Sequence, residues 1–470
     1  MKYHIWTEGC QMNEADSQRV ASELEKLGYH ATREAESADV IVLNTCVVRQ
    51  SAEDRAYGRL MSLKPFKEAN PNVILGLMGC LVGVRDTSPL KNRFPFVDVF
   101  MAPSDPHKLV ELLQTRHVIA RSEATKQSPV QGLEIASSQT LRAPRNDMAY
   151  ELDQRETETR YELQDAGLVL PVHERGNLVS AHVPIIYGCN HVCTFCIIPY
   201  RRGTEHSRSV GEIAAEVHSL VNQGVKEITL LGQIVDRYGC DVPDGPRLPD
   251  LLRAIHDIDG LERIRFLTSH PLYMTDELLD AVAQLPKVCE HIEVPVQAGN
   301  DEVLKRMKRG YTVDEYRALI TRIRNRIPNV SIATDIIVGM PGETEEQFMG
   351  TYNLLKQLEL DIAHIAMFSP RPNTVASRWA DDVSDEEKER RRKMIDDLQA
   401  TILEKINARF LGQTVEVLVE DKAKNRWRGR TRNMKLVFFE DNSRDWKGKL
   451  AKVKIDWTGP WSMLGQVQSN

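Results

Sequence analysis

The sequence predicts an α/β chain in three parts: an N-terminal parallel α/β domain, a partial (β/α)6 barrel, and a small C-terminal antiparallel β-barrel. Three observations carry this. An apolar run ending in cysteine recurs three times within the first hundred residues. Six further apolar runs alternate with helix-like stretches from Ala181 onward, and the last sixty residues alternate with period two. The 470 residues fit two to four domains of ordinary size, and 41% hydrophobic residues supply real cores, excluding wholesale disorder or a fibre. With 61 Lys+Arg against 67 Asp+Glu the net charge is −6. No basic, then apolar leader opens the chain, and no run of about 18 apolar residues occurs; the expectation is a cytoplasmic protein without membrane contact. Its eight cysteines then point to metal or redox chemistry rather than disulfides.

The N-terminal domain, residues 1–112, is read from YHIWTEGC ending at Cys10, DVIVLNTC at Cys46 and NVILGLMGC at Cys80. Helical stretches separate the copies, as in Asp16 to Leu27, with Val20, Leu24 and Leu27 on one face. Alternation of this kind implies a parallel sheet, with all three cysteines just past the carboxyl ends of its strands, where open α/β folds place ligands. The bland alternative is three unrelated buried thiols. Residues 113–170, rich in Ser, Gln, Thr and Arg, read as a linker or insertion.

Residues 171–409 contain HVPIIYG, EITLLGQ, RIRFLTS, HIEVPVQ, SIATDIIVG and IAHIAMFS, each but the last followed by a helix-like stretch. This is an incomplete relative of the eight-unit barrel, whose working face is the carboxyl end of its strands. Ser384 and Glu387 form a capping box opening a long charged helix that stops near Gly412. In residues 410–470 the even positions Lys422, Lys424, Arg426, Arg428, Arg430 and Arg432 are all basic. On one extended strand they share a face suited to a polyanion such as RNA, with Lys435 beyond them; the alternative is a solvated face. Trp427 either stacks on a base or covers the barrel.

The sharpest chemical signal is Cys189-Asn-His-Val-Cys193-Thr-Phe-Cys196, directly after an apolar run. Three thiolates in one short loop can hold three irons of a [4Fe–4S] cluster and leave the fourth open to chelate S-adenosylmethionine, which an electron then cleaves. Zinc is the competing reading, but structural zinc wants four ligands, and His191 reaches such a site only by folding back within the same loop.

The C-x3-C-x2-C motif opening a six-unit partial barrel resembles the radical S-adenosylmethionine enzymes. The three upstream cysteines, the stretch CNHVCTFCIIPYRRGTEHSR and the basic C-terminal barrel resemble the methylthiotransferases among them, over nearly the whole chain except the insertion. GCQMN (Gly9 to Asn13), LNTCVVR (Leu43 to Arg49), LLGQ (Leu230 to Gln233), RFLTSHP (Arg265 to Pro271) and GRTRNMKLV (Gly429 to Val437) look most like the branch that modifies N(6)-isopentenyladenosine in tRNA.

The resemblance implies two [4Fe–4S] clusters, one on Cys189, Cys193 and Cys196 that cleaves S-adenosylmethionine, and an auxiliary one on Cys10, Cys46 and Cys80 that donates a methylthio group to carbon 2 of isopentenyladenosine at position 37 of the tRNA anticodon loop. It implies S-adenosylmethionine contacts from Phe195, Gln233, Gln297 and Gly339, and RNA contacts from Arg426, Trp427, Arg428, Arg430, Arg432 and Lys435. Arg201 and Arg202 face RNA phosphate or solvent. An external one-electron donor of the flavodoxin or ferredoxin type, a sulfur or cluster donor and a monomeric enzyme complete the expectation. No catalytic side chain beyond the cluster ligands is assigned. Two departures stand out: Ile234-Val235 follows LLGQ where the family has Asn-Val, and Leu81-Val82-Gly83 follows the third cysteine where a small-Ala-Gln sequence is common. Cys240 and Cys289 match no cluster motif. Methylthiolation of N(6)-threonylcarbamoyladenosine, and a non-catalytic iron–sulfur protein that binds RNA or senses redox state, are the rival readings.

Overall fold

The computed structural model describes residues 1–48, 50–125 and 167–468. Arg49, the body of the insertion and the last two residues lie outside that set.

The first strands are β1 (Lys2–Glu8), β2 (His30–Ala31), β3 (Val40–Thr45), β4 (Ile74–Gly79) and β5 (Val99–Met101), in the spatial order β2-β1-β3-β4-β5. The pairings are parallel, with Glu8 beside Thr45 and Thr45 beside Gly79. Runs such as VIVLNT and ILGLMG are buried at every position, as a sheet covered on both faces requires. Helices α1 (Gln11–Lys26), α2 (Gln50–Ala69), α3 (Ser88–Arg93) and α4 (His107–Thr125) connect or follow the strands. Helix α4 runs across residue 112 into the stretch whose composition suggests a linker; residues 126–166 of that stretch lie outside the described residues.

Six parallel strands follow: β6 (Ser180–Pro184), β9 (Glu227–Leu231), β10 (Arg263–Leu267), β11 (His291–Glu293), β12 (Ser331–Val338) and β13 (Ile362–Met367). Two three-stranded sheets joined at Ile264 and Val288 put β6 and β13 at the edges, so the barrel is open on one side. The first apolar run divides: after β6 the chain makes β7 (Ile186–Tyr187), antiparallel to β8 (His206–Ser207), before the cysteine loop. Its helices include α5 (Ile198–Arg202), α6 (Val210–Asn222), α7 (Leu248–His256), α8 (Asp276–Gln284), α9 (Asp301–Met307), α10 (Val313–Arg326), α11 (Glu345–Leu358) and α12 (Asp385–Ala408). Capping follows the sequence: Ser209, Thr312 and Thr344 each close a capping box. Ser384 caps α12 by accepting from Glu387 N, but the Glu387 side chain pairs with Arg390 and Arg391 instead of returning to the cap.

The N-terminal domain closes over the barrel mouth through α1. Met12 and Ala15 pack on Leu231 and Leu267 at the carboxyl ends of β9 and β10, and Arg19 pairs with buried Glu216 at 2.7 Å. The last five strands, β14 (Thr414–Ala423), β15 (Arg426–Arg430), β16 (Leu436–Phe439), β17 (Leu450–Thr458) and β18 (Met463–Val467), form a closed barrel. This small barrel docks at the opposite, amino end of the large one. Arg263 and Arg265, at the start of β10, donate to the carbonyls of Arg430, Thr431 and Arg432. No helix among the described residues is long and apolar enough to cross a membrane.

Candidate functional site: two thiol triads

Each N-terminal cysteine follows its strand directly: Cys10 two residues after β1, Cys46 after β3 and Cys80 after β4. The three strands are neighbours and in register, so the thiols stand side by side at the carboxyl end of the sheet. Gly79 makes the last approach possible: its φ is +98°, and a Cβ there would lie 2.4 Å from Thr45 O, while Cys80 N donates to that same carbonyl at 2.9 Å. Two buried amides hold the ends together. Asn13 Nδ2 donates to Asn44 Oδ1 and Thr45 O at 3.0 and 3.1 Å, and Asn44 Nδ2 donates to Asn13 O and Ser17 Oγ at 2.7 and 3.0 Å. Cys10 Sγ donates to Asn13 Oδ1 at 3.3 Å. Burial, then the neighbouring Cys80, pushes the Cys46 thiol up to about 11, and burial raises Cys80 as well.

The second triad lies in the loop between β7 and α5. Gly188 turns the chain into it at φ +66°, where a Cβ would sit 1.9 Å from Thr204 O. Backbone and side-chain bonds from four directions fix the loop: Cys189 N to Gly203 O, Thr194 N to Met307 O, Thr194 Oγ1 to Arg306 O, and Ala376 N to Thr194 O. Arg309, itself buried, donates to Cys193 Sγ at 3.3 Å. Burial, then Cys193, pushes Cys196 up to about 12, and burial pushes Cys189 to about 11. The His191 ring packs 4.5 Å from that of His270 in the SHP stretch, and burial lowers its pKa.

A cavity opens beside this loop, lined by Phe195, Cys196, Gln297, Asp335, Ile337, Ala366 and Phe368, with Val48 of the N-terminal domain at its rim. Phe195 and Gln297 thus stand together. Gln297, at φ +72°, lies four residues past β11, bridged to Ile336 of β12, with its N–H on Asp335 O at 2.8 Å. Gln233 is half-buried just past β9. Gly339 does not line the cavity; it turns at φ +73°, where a Cβ would meet Lys388 Cγ at 2.3 Å, and its N–H goes to buried Glu343. The departures have packing roles. Ile234 covers Cys189 and Ile198 with apolar surface, and Leu81 and Val82 enter the N-terminal core beside Ile197.

Sequence reasoning missed the residue that joins the triads. Arg202 faces neither RNA nor solvent: it is buried, and its Nε donates to Cys80 Sγ at 3.3 Å. Arg201 reaches Leu81 O at 3.5 Å. The signal available was position alone, a polar pair directly after a cluster motif.

The basic stripe is reorganised by a hairpin. Lys424 and Asn425 both take positive φ, +48° and +67°, the signature of a two-residue turn, so Lys422 and Arg426 belong to different strands. Arg426, Arg428 and Arg430 remain on the outer side of β15, each with a carboxylate: Glu440, Asp421 and Glu420. Trp427 covers the barrel rather than offering a stacking surface; it packs in the core and its Nε1 donates to Asp441 O at 2.7 Å. Arg432 and Lys435 serve docking, paired with Glu290 at 2.8 Å and Asp361 at 2.7 Å beneath the large barrel.

Both triads carry donors that suit iron–sulfur clusters: three thiols each, with one buried guanidinium donating to a sulfur of each set. Neither converges as tightly as the ligands of a single ion, and a cubane spreads its thiolates more widely than one tetrahedral metal does.

The Radical SAM superfamily matches residues 183–355, the Uncharacterized protein family UPF0004 residues 2–102, and the TRAM domain residues 408–467. The tRNA-2-methylthio-N(6)-dimethylallyladenosine synthase of Roseiflexus sp. (strain RS-1) is 46% identical over 99% of this chain and 89% of its own length. The enzyme of the same name from Dehalococcoides mccartyi (strain CBDB1) is 44% identical over 99% and 98%. Among solved structures, the radical S-adenosylmethionine methyltransferase TsrM from Kitasatospora setae shares the fold, with TM-score 0.53, 15% identity and coverage of 80% of this chain and 74% of that one. Radical SAM methylthiotransferases of this kind work with S-adenosylmethionine and two [4Fe–4S] clusters. With 46% and 44% identity to such enzymes over 99% of its length, the chain belongs to the tRNA methylthiotransferase family of radical S-adenosylmethionine enzymes.

Proposed function

We propose that the enzyme methylthiolates carbon 2 of N(6)-isopentenyladenosine at position 37 of tRNA, with Cys189, Cys193 and Cys196 holding the cluster that engages S-adenosylmethionine and Cys10, Cys46 and Cys80 holding the auxiliary cluster. The observation that carries the reading is the link between the two thiol sites: Arg202, at the end of the short helix that follows Cys196, donates to Cys80 Sγ. The chemistry these groups supply when bound is one-electron cleavage of S-adenosylmethionine and delivery of a methylthio group to the adenine carbon.

The chain's own residues position and exclude. Asn13 and Asn44 fix the spacing of Cys10 and Cys46, and the bonds at Thr194 fix the loop triad. Phe195, Ile337 and Phe368 give the cavity apolar walls for the adenosyl group, while Gln297 and Asp335 present polar atoms at its end. Ile234 keeps water from Cys189. Gln233 and Gly339 act at one remove, at the strand ends. A base in a single-stranded anticodon loop leaves its stack at low cost. Arg426, Arg428 and Arg430 exchange their carboxylate partners for RNA phosphate, whereas Arg432, Lys435 and Trp427 hold the small barrel in place and intact. The enzyme acts as a monomer in the cytoplasm and draws on an electron donor of the flavodoxin or ferredoxin type and on a sulfur or cluster donor.

The test is mass spectrometry of nucleosides from tRNA treated with anaerobically reconstituted protein, S-adenosylmethionine and reductant. A methylthio product on isopentenyladenosine-bearing tRNA is expected. Product only on threonylcarbamoyladenosine would move the substrate, and 5′-deoxyadenosine without product on either would refute the acceptor.

A further inference from the structure

Arg202 is the last residue of α5, whose first turn begins two residues after Cys196. Its guanidinium lies across the domain boundary, inside the N-terminal thiol site. Nε donates to Cys80 Sγ at 3.3 Å, Nη2 to Asp16 Oδ2 at 3.0 Å and to Asn13 Oδ1 at 3.4 Å, and Nη1 to Ser104 Oγ at 3.5 Å. The side chains of Arg202 and Asp16 are 3% and 0% exposed. Asn13 accepts from Cys10 Sγ and bonds the residues that precede Cys46, so the guanidinium reaches the three thiol stations directly or through one amide.

A buried guanidinium is costly unless its charge and donors are matched. Asp16 matches the charge, and a simple ion pair needs no more. Of its other donors, Nε is aimed at sulfur, and a planar fork is the group that can serve a carboxylate and a sulfur together. Donors to cluster sulfurs and nearby positive charge set an iron–sulfur potential. We infer that Arg202 is a positioning residue that ties the loop carrying Cys196 to the auxiliary thiol site and raises the reduction potential of the cluster held there. The inference rests on the assignment of Cys10, Cys46 and Cys80 proposed above.

The test uses the full chain with Cys189, Cys193 and Cys196 replaced by Ala, so that only the auxiliary cluster is observed. Iron and sulfide analysis and an EPR-monitored redox titration are compared among this parent, Arg202→Lys, and the double variant Arg202→Gln with Asp16→Asn, which leaves no buried carboxylate unpaired. The expected result is one cluster in each, with the midpoint potential falling from the parent through Arg202→Lys to the double variant. With the loop cysteines restored, the methylthio nucleoside formed per 5′-deoxyadenosine should fall about tenfold, the scale of lost outer-shell support at metal sites. Coincident potentials and EPR lines in loaded variants would overturn the inference and leave the ligand assignment standing. A parent that binds no iron would overturn both.

Discussion

The N-terminal domain gathers its three thiols from the ends of three strands, whereas the barrel packs its three into one loop between Cys189 and Cys196. In the first case a finished sheet brings distant cysteines together: the register of β1, β3 and β4 fixes where Cys10, Cys46 and Cys80 stand. In the second, sequence proximity does the gathering and the fold only steadies the loop, through Gly203, Arg306, Met307 and Ala376. The lesson is one of separable failure. A defect in the sheet edge should cost one cluster, and a defect in the loop the other.

The largest effect tests that separation. Replacing Cys196 by Ala should abolish 5′-deoxyadenosine formation and remove about one cluster of iron, while Cys46→Ala should remove a similar amount of iron, leave S-adenosylmethionine cleavage in place and eliminate the methylthio product. Iron analysis with chromatography of the nucleosides reads both. Loss of cleavage in Cys46→Ala would break the comparison.

A step down, Asn44→Ala strikes the sheet edge without touching a thiol. It strips partners from the Asn13 side chain and carbonyl, and each buried group left unpaired costs about 1–3 kcal/mol. Thermal unfolding should show the destabilisation, and the iron lost should be auxiliary iron, read as product loss with 5′-deoxyadenosine retained.

The strand-then-cysteine phase and the cysteine loop were legible because they are local: a few apolar residues, a small residue, a thiol. Arg202 was not, because its partner Cys80 is 122 residues away and nothing in PYRRG says which side of the helix faces the neighbouring domain. The stripe of even-numbered basic residues misled for a related reason. Period two holds only within one strand, and two residues at positive φ, Lys424 and Asn425, end the strand where the charge pattern runs on. Lys435 and Arg432 share the composition of an RNA contact, yet acidic residues before two barrel strands, Glu290 and Asp361, claim them.

That misreading supplies the next contrast, between neighbours on β15. Trp427→Ala should destabilise the small barrel by about 3–5 kcal/mol, visible in denaturant unfolding. Arg428→Ala, which breaks only a surface pair with Asp421, should cost less than about 1 kcal/mol. Its effect should instead appear in tRNA binding, as weaker affinity and a salt slope reduced by about one. Equal tRNA affinity in Arg428→Ala and the unaltered enzyme would remove β15 from the RNA face.

The last contrast sets the barrel interior against the exposed end of the N-terminal sheet. Cys10 is exposed at the sheet edge, but within the barrel burial, and then the charge of Asp335 on the adjacent strand, push Glu293 up to about 8 from an ordinary 4.5. Between those values the folded chain keeps a proton that the unfolded chain has lost. The contribution of Glu293 is therefore fully present below pH 4.5 and disappears as pH rises through about 8, with a slope of at most about 1.4 kcal/mol per pH unit. Glu293→Gln keeps the neutral form at every pH. It should flatten the decline between about pH 4.5 and 8 and leave the variant more stable than the unaltered chain at neutrality and above, as thermal unfolding at successive pH values would show. An unchanged decline would mean that water reaches Glu293 inside the barrel as readily as it reaches the exposed Cys10.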